Sequence, residues 1–111
     1  GIKAVGAVYA AELEALGFTT RWSEMPAAMQ RAGHLVARRP AKIRPASAKR
    51  LLLIGHFDTV FEGEGQKFVR QDSIARGAGT SDMKGGDVIL VYAQAVEVAA
   101  QPAPEELASP C

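Results

Sequence analysis

The sequence predicts an α/β fold in which helices flank a mixed, mostly parallel sheet. Three patterns in its 111 residues predict this fold: a short, wholly apolar run at 51–54, and helical periodicity at both 2–16 and 83–100. An apolar run of this length, closed by Gly55, is typical of a strand that is buried on both faces of a sheet. We therefore expect this strand at the centre of the sheet and the two helices over its faces.

The first helix is predicted over residues 2–16 because apolar side chains recur there every three or four positions, at Ile2, Val5, Tyr9, Leu13 and Leu16. Gly17 follows, where a left-handed glycine commonly ends a helix. Residues 18–23 contain β-branched and aromatic side chains in alternation and predict a strand, and residues 34–38 predict a second strand.

The second half of the chain predicts a hairpin and a long helix. Residues 68–70 and 74–76 flank a polar turn, which is typical of a small hairpin. From residue 83 onward a single narrow polar stripe predicts a mostly buried helix that extends to residue 100. The stripe consists of Asp87, Gln94, Glu97 and, just past the end of the helix, Gln101. Two prolines then end the helical pattern, so we expect one domain at 1–100 and an unstructured tail at 101–111.

Composition and missing motifs exclude several functional classes. A net charge of +1 gives no footprint for nucleic acid, and a single cysteine, Cys111, rules out an intrachain disulfide framework and a thiolate zinc cluster. No apolar stretch has the length of a membrane span and no signal sequence is present, so we expect no membrane association and a cytoplasmic location. The sequence contains no phosphate-binding loop, no Gly-x-Ser-x-Gly motif and no His-Glu-x-x-His motif.

The chemistry is expected to depend on His56, Asp58 and Asp82. His56 and Asp58 follow the central apolar run two residues apart, so on a strand both side chains point to the same face. A carboxylate beside an imidazole can fix the ring while its other nitrogen binds a metal. Asp82 stands in a glycine-rich stretch before the second helix, where it could bind a metal or simply cap the helix. From the residues alone both interpretations remain open.

Two sequence motifs favour metal binding by Asp82 over helix capping, because they resemble motifs of a known family. Residues 51–61 (LLLIGHFDTVF) and 75–86 (ARGAGTSDMKGG) resemble the two leading metal motifs of the aminoacylase and glutamate carboxypeptidase family of co-catalytic zinc exopeptidases, most closely the glutamate carboxypeptidase branch. The resemblance implies that His56 binds one zinc ion, that Asp58 is the catalytic acid that orients His56, and that Asp82 bridges two zinc ions. It also implies a cis peptide bond between Asp82 and Met83.

The resemblance further implies a hydrolase that cleaves an amide bond of a small peptide or an N-acyl amino acid. Nitrogen and oxygen ligands would also admit cobalt or manganese. The family's general base and remaining ligands have no counterpart here, since the adjacent pair Glu105 and Glu106 follows two prolines rather than an apolar strand. We therefore expect an inactive N-terminal fragment of a catalytic domain, with exposed apolar surface that favours a homodimer. The alternative is a catalytically silent domain that binds a metal or a partner protein.

Overall fold

The computed structural model describes residues 1–41, 46–61 and 67–101. Two helices and four short strands form the regular structure of this part of the chain, with a 3₁₀ turn at Ala27–Met29 and a wide turn at Thr80–Lys84. In chain order the elements are α1 (Ile2–Ala15), β1 (Thr19–Ser23), β2 (His34–Arg38), β3 (Val69–Gln71), β4 (Ile74–Arg76) and α2 (Gly85–Ala100). Residues 102–111, which make up all of the predicted tail after Gln101 and include Glu105 and Glu106, lie outside the described residues.

Helix α1 ends as its sequence predicts. Gly17 has a φ of 87°, in the left-handed region where a residue without a Cβ is favoured. The N–H groups of Gly17 and Phe18 donate to the carbonyls of Glu14 and Leu13, each at 3.0 Å. These bonds satisfy carbonyls that the end of a helix would otherwise leave without partners.

Strands β1 and β2 form an antiparallel pair against which α1 packs. Their register runs from Thr19 opposite Arg38 to Ser23 opposite His34. The helix approaches through Gly6, where an added Cβ would lie 2.6 Å from Cζ3 of the Trp22 ring. Both predicted strands are thus confirmed.

Strands β3 and β4 form the predicted hairpin. Val69 lies opposite Arg76, and Gln71 lies opposite Ile74 across the turn. Asp72 adopts a φ of 51° in that turn, a left-handed conformation that aspartate tolerates better than most residues. The hairpin is therefore determined by its local sequence.

The predicted mostly parallel sheet is wrong. Residues 51–59 have no regular secondary structure, and the described strands form two separate antiparallel pairs. The side chains of Leu51, Leu52 and Ile54 are 82%, 79% and 78% exposed. A buried parallel strand needs neighbouring strands and a cover on each face. Each two-stranded pair keeps open edges, yet no strand among the described residues pairs with this run.

The prediction that the second helix is mostly buried is also wrong. Only Asp87 and Val91 of α2 are buried, whereas Ile89, Tyr92 and Val96 are each about 70% exposed. Among the described residues, α2 contacts α1, the turn before it, Gly55, and Arg39, which forms an ion pair with Glu97 at 3.2 Å. No described strand lies against it in a sheet. Within the described ranges, neither helix has the length and apolar character that crossing a bilayer requires.

Candidate metal centre

The structure places His56 between the two predicted acids. Nε2 of His56 lies 2.9 Å from Oδ1 of Asp82, and Nδ1 lies 3.1 Å from Oδ1 of Asp58. Nδ1 is also 3.2 Å from the backbone carbonyl of Asp58. The ring therefore has one nitrogen directed at each carboxylate, and both contacts are hydrogen bonds when both nitrogens carry a proton.

This arrangement favours the protonated imidazole when no metal is bound. The hydrogen bond with Asp82 raises the pKa of His56 above its ordinary value of 6.5. Burial opposes that effect, while the Asp58 carbonyl and the negative charges of both carboxylates add to it. A metal ion at Nε2 would have to displace this proton, so metal and proton compete for the same site.

His56 is held in place by contacts of its neighbour Phe57, although none of the described strands pairs with the segment. The Phe57 ring stacks on Tyr9 of α1, with centroids 4.9 Å apart and an interplanar angle of 21°. The Lys84 ammonium donates to the Phe57 carbonyl at 3.0 Å, and the Tyr9 hydroxyl donates to the Lys84 carbonyl at 3.1 Å. Three distant parts of the chain therefore meet at Phe57.

Asp82 is presented by the wide turn before α2. Gly79, with a φ of 78°, starts this turn, and its carbonyl accepts a 2.9 Å hydrogen bond from the N–H of Lys84. Asp82 and Met83 have non-helical backbone angles inside the turn. The peptide bond between them is cis, as predicted. The carboxylate thus reaches His56 from the opposite side of the site.

The three side chains border an open cavity of about 250 Å³, which Thr59 and Val60 also line. The side chain of His56 is 43% exposed, and those of Asp58 and Asp82 are 67% and 81% exposed. A metal ion or a small ligand can therefore reach the imidazole and both carboxylates from solvent.

The donor set fits part of a metal shell. One imidazole nitrogen and one carboxylate oxygen face each other, a pairing that zinc accepts, and a second carboxylate holds the other ring nitrogen. In the part of the chain that the structure describes, no group of three or more His, Cys, Asp or Glu side chains is arranged to hold a metal ion. The described residues therefore offer a ligand pair rather than a complete site.

Comparisons of this chain with protein-family models, with curated proteins and with solved structures found no match. The roles of His56, Asp58 and Asp82 accordingly remain predictions, supported by the geometry of the residues themselves.

Sequence reasoning missed the residues that support the site. The sequence pattern identifies Asp87 only as one position of a polar stripe, yet the residue is 5% exposed. Burial raises the pKa of its carboxyl group, and the positive charges of His56 and Lys84 partly offset this rise. Tyr9 counted only as an apolar helix position. No local pattern could have identified the roles of Asp87 and Tyr9, because these roles depend on contacts between distant segments. Tyr9, for example, donates to Lys84, which lies 75 residues further along the chain.

Proposed function

We propose that this chain supplies two ligands, His56 and Asp82, to the zinc site of a metal-dependent hydrolase, and that Asp58 orients His56. One observation carries the proposal: the two ring nitrogens of His56 lie 2.9 Å from Asp82 and 3.1 Å from Asp58. In metal sites a ligating histidine almost always donates its second ring N–H to a carboxylate, carbonyl or water. Asp58 is suited to that task, so Nε2 and the Asp82 oxygen that faces it can bind the metal once the proton on Nε2 is displaced.

A purely structural ion pair is the simpler alternative, and the exposure of the three side chains argues against it. Solvent-exposed pairs contribute only about 0–1 kcal/mol to folding stability. Asp58 and Asp82 are both more than half exposed, so their attraction to His56 is screened by water. The imidazole of His56 and the two carboxylates converge beside an open cavity but add little to folding stability. We therefore infer that their role is to bind a ligand.

The reaction class in this proposal comes from the two motifs at 51–61 and 75–86, which resemble those of the aminoacylase and glutamate carboxypeptidase family. The substrate would be a small peptide or an N-acyl amino acid, cleaved at an amide bond. Bound zinc would polarise the substrate carbonyl and lower the pKa of a water molecule. The task of this chain's residues is to bind and orient: Asp58 keeps the proton on Nδ1, while Asp82 directs a carboxylate oxygen toward Nε2.

We expect this chain by itself to be catalytically inactive, as part of a larger catalytic unit. Zinc in proteins commonly has three or four protein ligands, whereas the described residues offer two. Incubation with zinc and an acyl-glutamate or folate-type substrate should give no hydrolysis. Turnover that disappears in Asp82→Asn would show that the expectation of inactivity is wrong.

A cytoplasmic location belongs to the same proposal, since one cysteine leaves no intrachain disulfide.

The ligand pair can be tested with cobalt(II), whose visible absorption reports its coordination. Titration of the chain should produce bands that are lost in Asp82→Asn. Asp72→Asn removes one negative charge from the exposed β3–β4 turn and should leave the spectrum unchanged. Identical spectra for all three proteins would remove Asp82 from the proposed ligands.

A catalytically silent binding domain is the second candidate, and the exposed apolar run favours it. Leu51, Leu52 and Ile54 lie outside regular secondary structure, and each residue is about four fifths exposed. Surfaces of this kind mark contact sites for other proteins. Failure of the chain to bind zinc or cobalt, together with self-association, would favour this candidate over the hydrolase.

A further inference from the structure

The buried carboxylate of Asp87 is unusual among the charged groups of the described residues. Asp87 lies in the first turn of α2 and is 5% exposed. Its Oδ2 atom is fully shielded from solvent and has no hydrogen-bond partner in the part of the chain that the structure describes. A buried polar atom without a partner destabilises the fold. Asp87 therefore calls for an explanation other than stability.

The group against which Asp87 packs is Gly55, the residue directly before His56. A Cβ added to Gly55 would overlap Oδ1 of Asp87 and lie 3.3 Å from its Cγ. The same Cβ would lie 3.6 Å from Cε of Met83. Gly55 does not need a positive φ, so the reason for a glycine here is close approach. The carboxylate and the bare Cα fit against each other.

Asp87 and Lys84 contact the two residues that flank His56 in the chain. Asp87 contacts the residue before the histidine, while the Lys84 ammonium holds the carbonyl of the residue after it at 3.0 Å. Both come from the turn and the helix that also present Asp82. Because residues 51–59 have no sheet ladder, such contacts determine where the segment lies relative to Asp82.

We propose that Asp87 is a positioning residue for the metal site: its carboxylate, fitted against the Cα of Gly55, sets the distance between the His56 imidazole and the Asp82 carboxylate. The inference rests on the proposed zinc site for its purpose, although the contact itself does not depend on a metal. Residues that hydrogen-bond to a metal ligand commonly change metal affinity 10- to 100-fold when they are replaced. Asp87 acts by packing against the neighbour of a ligand, so we expect an effect at the lower end of that range.

Zinc calorimetry and thermal unfolding of three variants test the proposal. Asp87→Ala removes the contact and should weaken zinc binding about tenfold, with no fall in the midpoint of thermal unfolding, since an unpaired buried carboxylate is also removed. Asp87→Asn has the same shape and should keep a zinc affinity close to that of wild type if packing is what positions His56. Val91→Ala, which opens a cavity at the other buried position of α2, should lower the midpoint and leave zinc affinity unchanged.

The results that overturn the proposal are distinct from those that overturn the zinc site. Unchanged zinc affinity in Asp87→Ala, or an equal loss in Asp87→Asn, would refute positioning by this contact. If the wild-type chain binds no zinc, the proposed function fails, and NMR of the metal-free chain then decides the inference. The backbone and ring resonances of His56 should shift in Asp87→Ala and stay in place in Val91→Ala. Unshifted His56 resonances in Asp87→Ala would overturn it.

Discussion

Phe57 should account for much of the stability of the segment that presents His56. Its half-buried ring stacks on Tyr9, and it also approaches α1 at Gly6, where an added Cβ would lie 3.5 Å from the ring. Full burial of a phenylalanine gives a loss of about 3–5 kcal/mol on replacement by alanine. A half-buried ring should lose roughly half of that, including about 0.5–1.5 kcal/mol for the stacked pair. We therefore expect Phe57→Ala to lower the free energy of unfolding by about 2 kcal/mol.

Urea unfolding measures this loss, with the single tryptophan, Trp22, as a fluorescent probe and circular dichroism as a second signal. Phe68→Ala is the matched control, because Phe68 is 66% exposed and its replacement should cost less than about 0.5 kcal/mol. Zinc affinity should fall in Phe57→Ala and stay constant in Phe68→Ala. If both variants lose the same free energy, Phe57 does not anchor the segment, and our explanation of how His56 is held is wrong.

Three further predictions concern the same contacts and surfaces. Tyr9→Phe removes only the hydroxyl that donates to the Lys84 carbonyl and should lower the free energy of unfolding by about 1 kcal/mol; an unchanged urea midpoint would contradict this. The hydrogen bond with Asp82 raises the pKa of His56 above 6.5, so the protonated ring stabilises the fold below that pH, and this stability is lost as the pH rises through the raised pKa. As the pH rises from below 6.5 through the raised pKa, the metal-free chain should therefore lose more stability than Asp82→Asn, and equal losses would refute the assignment. Finally, the exposed run at 51–54 should make the chain self-associate, which light scattering at increasing concentration would show; a monomer throughout would count against an exposed apolar contact surface.

The sequence predicted those parts of the fold that depend on neighbouring residues. Gly17 ends α1, the polar turn around Asp72 closes the β3–β4 hairpin, and the residue pattern at 34–38 gives β2. His56 and Asp58 also lie together because only one residue separates them. In each case a local pattern is sufficient, since the stabilising contacts lie within a few residues along the chain.

The predictions that were wrong depend on contacts between distant segments of the chain. The apolar run at 51–54 has the composition of a central strand, but a strand is central only if other strands pair with it, and no described strand does so. Asp87 was placed on the narrow polar stripe of α2, yet it is one of the two buried residues of that helix. Because α2 has no sheet to cover, its apolar positions lie in solvent instead. Hydrophobic periodicity identifies a helix face, whereas the partner of that face is a property of the whole chain.

Zinc binding by the two histidine variants tests the central claim most directly. The chain has two histidines, His56 in the proposed site and His34 as an exposed residue of β2, so each variant is the matched control for the other. Calorimetric titration with zinc should show that His56→Ala loses at least tenfold in affinity and that His34→Ala binds as the wild-type chain does. Equal zinc affinity in His56→Ala and the wild-type chain would contradict the assignment of His56 as a ligand, and with it the proposed metal centre.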